Sequence, residues 1–298
     1  MSTEAKPFLK WAGGKGQLLS QLGAYLPHHI SEKPFTYIEP FVGGGAMLFY
    51  MLQHFDNIRK AVINDVNENL ILTYRIIKDD VEALIANLDR LEKDYLSVTD
   101  QEGRSQIFYE VRERYNQHIG DSIERASQLI FLNKTCFNGL YRVNRRGQFN
   151  VPFGKYANPT ICNAKLLRAD SQLLKSAKVE ICQGDYAKTI QYIDGLTFVY
   201  LDPPYRPLDA TSSFTAYAKG DFNDDDQRSL AAFCRQLSER GCFWMESNAD
   251  CSAKNPEDTF FEELYKDFRI GRVYAARFIN ANPEKRGKLT ELLIKNYE

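Results

Sequence analysis

Two prolines in succession stand between an aspartate and a tyrosine, Asp202-Pro203-Pro204-Tyr205, directly after the apolar run Thr197-Phe198-Val199-Tyr200-Leu201. The run has the pattern of a buried strand. The prolines fix φ and donate no N–H, so the tetrad is a stiff turn that aims its acceptors. That arrangement suits the amino group of a nucleobase such as adenine, whose nitrogen lone pair is delocalised into the ring and is a poor nucleophile. Asp202 and the Pro203 carbonyl can accept both amino hydrogens and draw the nitrogen toward tetrahedral geometry, its lone pair turned to a methyl donor. A sulfonium donor is already activated, so the reaction requires no metal. Asp202, Pro203 and Tyr205 are the candidate catalytic residues. The Tyr205 ring offers a face for the base to stack on, and Phe214 or Tyr217 can close the other. In a duplex the target nitrogen is out of reach, so the nucleotide must swing out of the stack first.

A second constellation lies near the N-terminus. Tyr37-Ile38-Glu39-Pro40-Phe41-Val42-Gly43-Gly44-Gly45-Ala46 reads as a strand that ends in a glycine turn and opens a helix, the place where doubly wound sheets bind nucleotides. Phe41, Gly43 and Gly45 are candidates to approach such a ligand, although a plain structural turn uses glycines in the same way. About 20 residues further on, Asn64-Asp65 ends the next strand, where a carboxylate can accept hydrogen bonds from ribose hydroxyls. A dinucleotide fingerprint starting at Gly43 requires glycine where the chain has Leu48, which weakens a nicotinamide cofactor. S-adenosylmethionine has no pyrophosphate and needs only a short glycine turn. Trp11-Ala12-Gly13-Gly14-Lys15 fails as a phosphate loop, because Gly16 follows Lys15 and Leu9 stands in place of the leading glycine. Trp11 and Lys15 can instead meet the adenosyl ring and the amino-acid carboxylate of that cofactor.

The chain carries a formal net charge of -1, so any nucleic-acid contact must come from a local concentration of cations. Residues 125–169 supply one. They include no Asp or Glu, yet hold Arg125, Lys134, Arg142, Arg145, Arg146, Lys155, Lys165 and Arg168. Interleaved are Phe131, Phe137, Tyr141, Phe149, Phe153 and Tyr156, which offer flat faces and wedges for bases as well as core material. A short hairpin between Tyr141 and Asn150 presents Arg142 as an exposed side chain, with Arg145-Arg146-Gly147 as its turn.

These residues need a scaffold. Periodicity predicts strands at residues 36–40, 61–63, 179–182, 196–201, 242–246, 268–274 and 289–295, helices at 46–53 and 224–240, and a mostly helical block at 68–132 with polar turns near 98–103 and 118–120. Alternating strand and helix implies an α/β fold: a doubly wound, mostly parallel Rossmann-like sheet. The expected division is a catalytic domain of residues 1–70 and 159–298, with residues 71–158 inserted as a mainly helical DNA-recognition domain carrying a β-hairpin.

With these motifs in place, the sequence resembles the Dam family of DNA adenine-N6 methyltransferases, members of the alpha class of amino-methyltransferases that chiefly recognise GATC. The matching blocks are residues 8–15, 39–46, Asn64-Asp65, Phe137-Asn138-Gly139-Leu140-Tyr141-Arg142-Val143-Asn144, residues 148–156, Asp202 to Tyr205 and Ser247-Asn248. The resemblance implies that Trp11, Lys15, Asp65 and Asp202 contact S-adenosylmethionine. It also implies that Lys10, Asn138, Leu140, Arg142, Pro152 and Lys155 face duplex DNA, and that Phe137 is the wedge filling the space of a flipped adenine. The family often has Tyr at the wedge and Arg at the Lys155 position, and Lys does not read a guanine edge as Arg does. Arg142 is then the guanine reader, while Arg145 and Arg146 grip phosphates.

The rivals are an RNA or protein amino-group methyltransferase, against which the basic hairpin speaks, and a DNA-binding protein without catalysis, against which Asp202 and Tyr205 speak. Six cysteines without a C-x-x-C pair and four histidines outside ligand spacing point to reduced thiols and no metal. A polar N-terminus and the lack of a run of about 18 apolar residues point to the cytoplasm, with no membrane partner. A monomer is the expected state. Residues 277–288 read as a basic loop between two strands.

Overall fold

The computed structural model describes residues 4–207, 222–275 and 289–298. In chain order its elements are α1 (Leu19–Ala24), β1 (Phe35–Glu39), α2 (Ala46–His54), β2 (Ile58–Asp65), α3 (Glu68–Asp79), α4 (Val81–Ser97), α5 (Gln101–Asn116), α6 (Ser122–Thr135), α7 (Ala164–Ser176), β3 (Glu180–Gln183), β4 (Thr197–Leu201), α8 (Asp224–Glu239), β5 (Phe243–Ala249), α9 (Phe260–Leu264), β6 (Arg269–Ala275) and β7 (Leu289–Lys295).

The seven strands form one mixed sheet in the order β3-β2-β1-β4-β5-β7-β6. Pairing is parallel from β3 to β5 and antiparallel where β7 slots between β5 and β6. The strand order reverses between β1 and β4, which pair directly (Tyr37 with Phe198, Ile38 with Val199). Their carboxyl ends, carrying the glycine turn and the Asp-Pro-Pro-Tyr tetrad, are thereby neighbours at the switch point, where such sheets leave a crevice for ligands.

The central strands are buried on both faces, as parallel strands must be when helices cover each side. Period-2 alternation divides them between two cores. Phe35, Tyr37, Ala61, Ile63, Phe198 and Tyr200 face the core that includes α1 to α7, whereas Ile38, Val62, Val199 and Leu201 face α8 and α9. The helices of residues 68–135 share the first core with the sheet, α3 packing on α6 and α7 as well as on β3 and β2.

Helix boundaries follow local chemistry. Asn67, Asp100, Asp121 and Asn223 each accept N–H bonds at an N-cap, and Asp121 with Glu124 and Asn223 with Asp226 complete capping boxes. The helical block breaks at Asp80 as well as at the two turns predicted from sequence, and Gly103 lies inside α5.

One expectation is corrected, and the division of the aromatics between core and surface is resolved. The β-hairpin of the basic segment consists of the isolated antiparallel bridges Cys136 to Phe153 and Val143 to Phe149, with no continuous ladder. Positive φ at Asn138, Gly139, Gly147 and Lys155 interrupts the extended backbone a ladder needs. Of the six aromatics between residues 125 and 169, Phe131, Tyr141, Phe149 and Phe153 are core side chains, leaving Phe137 exposed and Tyr156 half-buried. The segment folds back over α4 to α6, so its rings are consumed in closing that core.

Asp170 on α7 is fully buried. One oxygen accepts the Lys6 N–H at 3.0 Å and the other has no hydrogen-bond partner. Burial lifts its carboxyl to about 8, opposed by nearby Lys134 and Lys6. Between the ordinary carboxylate value and about 8 the folded chain therefore holds a proton that the unfolded chain has lost, so this group's contribution to stability falls as pH rises through that window. Asp170→Asn should raise the thermal midpoint by several degrees at pH 8 and by clearly less at pH 5, read by calorimetric scans at both values.

Candidate active site

Residues 10–15 run as a strap across the carboxyl ends of the strands and reach every part of the site. Trp11 lies on the glycine turn: a Cβ on Gly43 would come within 2.9 Å of its Cδ1, and one on Gly44 within 3.0 Å of its Cβ. At Gly45, with φ +75°, a Cβ would meet the Tyr74 hydroxyl of α3 at 2.4 Å. The glycines thus make room for protein side chains on both sides of the turn, a reason the sequence does not reveal. The Trp11 indole also stacks on Tyr141, with ring centroids 4.8 Å apart and 20° between planes.

Asp65, at the end of β2, fastens the turn. Its Oδ2 accepts the Gly43 N–H at 3.0 Å and its Oδ1 the Asn67 N–H at 2.9 Å, and each oxygen retains a lone pair for a further donor. Burial raises its pKa while these N–H bonds lower it. Asn64 donates to the carbonyls of Pro40 and Gly184, linking the ends of three strands. Beside Asp65, Val66 is 63% exposed, an apolar face in a polar crevice. Phe41 is half-buried and packs on Tyr186 at 5.0 Å.

The tetrad carries a charge cluster. The Lys15 ammonium, almost fully buried, lies 3.0 Å from Asp202 Oδ1 and 3.4 Å from Glu291 Oε2 of β7. It donates to the Gly13 carbonyl at 3.1 Å and to the Tyr205 hydroxyl at 2.5 Å, and that hydroxyl donates to Glu291 at 2.7 Å. The ammonium thus has Gly13, Tyr205, Asp202 and Glu291 within reach. The ammonium also lies 4.3 Å from the centroid of the Tyr205 ring. Burial lifts the Asp202 carboxyl to about 6 despite Lys15, with Glu291 adding to the rise.

A further set of side chains grips the tetrad from behind. Gln227 of α8 donates to the Pro204 carbonyl at 3.1 Å and accepts from Asn248 at 3.0 Å, and Asn248 Oδ1 accepts the Arg206 N–H at 3.4 Å. Asn248 also donates to Glu246, whose carboxyl burial pushes up to about 7. Arg206, unremarked in the sequence, pairs with Asp224 at 2.8 Å and Asp258 at 2.6 Å.

The basic segment assembles beside the strap. The Phe137 N–H bonds the Pro152 carbonyl at 2.8 Å, and the Gly154 N–H bonds Thr135 at the same length. Lys10, Phe137, Asn138, Arg145, Arg146, Pro152 and Lys155 are exposed, Phe137 at 51%. Leu140 and Arg142 are half-buried, which corrects the expectation of an exposed Arg142. The Arg142 Nε donates to Asn150 Oδ1 at 2.8 Å and Nη2 to the Asn150 carbonyl at 3.4 Å, so the guanidinium is tied across the hairpin. Arg125 and Arg168 are spent on Glu68 and Glu82, whereas Arg145, Arg146 and Lys155 have no ion-pair partner among the described residues. Phe214, Tyr217 and residues 277–288 lie outside the described residues.

The doubly wound sheet, the glycine turn and the acidic Pro-Pro tetrad at its switch point define an α/β group-transfer enzyme with a nucleotide-type crevice. The profile of the D12 class N6 adenine-specific DNA methyltransferases matches residues 11–279. The chain is 50% identical over 298 residues to Type II methyltransferase M.MjaIII of Methanocaldococcus jannaschii, covering 99% of this chain and all of that one. It is 39% identical to Type II methyltransferase M1.LlaDCHI of Lactococcus lactis subsp. cremoris (98% and 95% covered). To the DNA adenine methylase of Escherichia coli K12 it is 32% identical (97% and 94% covered). The chain belongs to the D12 class of N6 adenine-specific DNA methyltransferases, and is a DNA-modifying enzyme whose family implies S-adenosylmethionine as methyl donor. The crevice fits that molecule: Asp65 keeps lone pairs that suit ribose hydroxyls, and Val66 offers a ring an apolar face. No helix among the described residues is long and apolar enough to cross a membrane.

Removing the buried cation should expose what it neutralises. Lys15→Met should cost about 3 kcal/mol in urea unfolding, because it leaves Asp202 and Glu291 together without a counter-charge. Adding Glu291→Gln to Lys15→Met should recover part of that loss.

Proposed function

We propose that this enzyme methylates adenine N6 within GATC in duplex DNA, flipping the target nucleotide into the Asp-Pro-Pro-Tyr pocket. The observation that carries this reading is Asp202, a carboxylate held beside Lys15 in a tetrad clamped by Gln227 and Asn248, next to the glycine turn. S-adenosylmethionine supplies an activated methyl group when bound, and Trp11, Lys15, Phe41, Gly43, Gly45, Asp65 and Asp202 are the residues that would hold it. Asp202 and the Pro203 carbonyl accept the two N6 hydrogens, so the nitrogen lone pair is freed from the ring. Lys15 keeps the Asp202 carboxylate charged in a site whose burial favours the acid. The Tyr205 ring is the face on which the base would stack.

Residues 71–158 act as the DNA-recognition domain inserted into the catalytic domain of residues 1–70 and 159–298. Phe137 wedges into the space left by the flipped adenine, a nucleotide excursion costing a few kcal/mol. Lys10, Asn138, Leu140, Pro152 and Lys155 line the duplex beside it. Arg142, oriented by Asn150, reads a guanine edge, and Arg145 and Arg146 hold phosphates. The GATC assignment rests on the match of residues 137–144 and 148–156 to the Dam pattern.

Labelled methyl transfer to duplexes with GATC intact or scrambled tests the reading, with nucleoside analysis of the product. Label should appear as N6-methyladenine, require GATC, and fall at least about 100-fold in Asp202→Ala. Label that ignores GATC would retain the chemistry and discard the site. Arg142→Ala should cost about 1–3 kcal/mol at one base pair, whereas Arg146→Ala should weaken all sequences alike and flatten the salt dependence. Because a protonated Asp202 has lost acceptor capacity, the rate should decline as pH drops through about 6. A pH–rate profile flat from 5 to 8 would contradict that role.

A further inference from the structure

Asn133, in the last turn of α6, is 1% exposed, and its side chain makes three hydrogen bonds outside its own helix. Its Oδ1 accepts the Lys10 N–H, while its Nδ2 donates to the Lys10 carbonyl and to the Gly139 carbonyl, each at 2.9 Å. It therefore binds both polar groups of one strap residue, as a neighbouring strand would, and holds the turn Phe137–Gly139 with the same amide. An asparagine serving only its helix would bond the helix's own terminal groups.

The strap and the turn meet again on either side of this amide. Gly139 has φ +65°, and a Cβ there would come within 2.5 Å of Lys10 Cδ, so the turn closes directly onto the strap. Trp11 stacks on Tyr141, just past the turn, and also lies against Gly43 and Gly44. One segment thus touches the glycine turn with Trp11 and, with Lys10, Gly139 of the turn that carries the exposed Phe137. A ligand that fixes one end restricts the other, and a coupling free energy arises only if a connecting element responds to both.

We propose that Asn133 is a positioning residue that ties the Phe137–Gly139 turn to the strap, so that occupation of the glycine-turn crevice and binding of duplex DNA strengthen each other through it. The proposal rests on the functional reading above, which assigns the crevice to S-adenosylmethionine and Phe137 to DNA. It goes further in naming a buried residue, in contact with neither, that links them.

The test is calorimetric titration with S-adenosylhomocysteine, which lacks the transferable methyl, in the absence and presence of saturating GATC duplex. In the wild-type enzyme the duplex should tighten binding by about 5-fold or more, the lower end of typical coupling factors. In Asn133→Ala both ligands should still bind, with the factor falling to within about twofold of unity. A purely structural Asn133 would instead lower the thermal midpoint and leave the factor unchanged, which overturns the proposal. Absence of coupling in the wild type overturns it as well. Should Asn133→Ala fail to fold, hydrogen exchange on the wild-type enzyme decides. S-adenosylhomocysteine alone should slow exchange in peptides spanning residues 136–141, and unchanged exchange there refutes the linkage. Failure of the wild type to bind S-adenosylhomocysteine or duplex at all is a different result, which removes the functional reading and the proposal with it.

Discussion

A single buried ammonium orders the chemistry of this enzyme. Lys15 arrives on the N-terminal strap, Asp202 and Tyr205 on the turn after β4, and Glu291 on β7, and the cation is the point at which the three meet. Desolvating one positive and two negative groups is expensive, and their mutual attraction offsets that cost only while the geometry holds. The consequence is a site whose shape depends on distant parts of the chain at once. The Asp202 carboxylate is kept ionisable at neutral pH, although its burial alone would favour the acid.

The sheet explains why these parts can meet. Reversal of strand order between β1 and β4 brings the glycine turn and the tetrad side by side, so a methyl donor and an acceptor base can share one crevice. The strap roofs that crevice, and the three glycines beneath it are explained by the closeness of Trp11 and Tyr74. The basic segment and the tetrad are thus both built against the strap. The helices after β2 continue the same apolar core, which makes the basic segment a rigid extension of the sheet rather than a loosely tethered arm.

Much of this was legible in the chain itself. Contiguous motifs announce themselves: the tetrad after an apolar strand, the glycine turn, Asp65 at a strand end, and the uninterrupted basic stretch. Strands buried on both faces were found as short apolar runs, because period and flanking turns survive in sequence. Contacts between distant residues left no such trace. Glu291 looks like any strand glutamate until it lies beside Lys15, and Asn133 and Gln227 read as ordinary polar helix residues. The exposure of Arg142 was overestimated because sequence shows a hairpin's length but not the partner, Asn150, that holds a side chain down. Which aromatics of the basic segment are core and which are exposed was not legible, since a charge pattern says nothing about which rings are left over once the hydrophobic interior is filled.

The place of β7 bears on how the molecule comes into being. It is the last of the seven strands in sequence, yet it lies inside the sheet between β5 and β6 and carries Glu291. Until it leaves the ribosome, β6 lacks its sheet partner, the flank of β5 is an unsatisfied edge, and the Lys15 cluster is short of one carboxylate. Completion of the sheet and completion of the charge cluster are therefore one event. A nascent chain that already carries the glycine turn, the basic segment and the tetrad still has an unfinished active site, so the order of translation itself withholds the assembled site until its final strand is made.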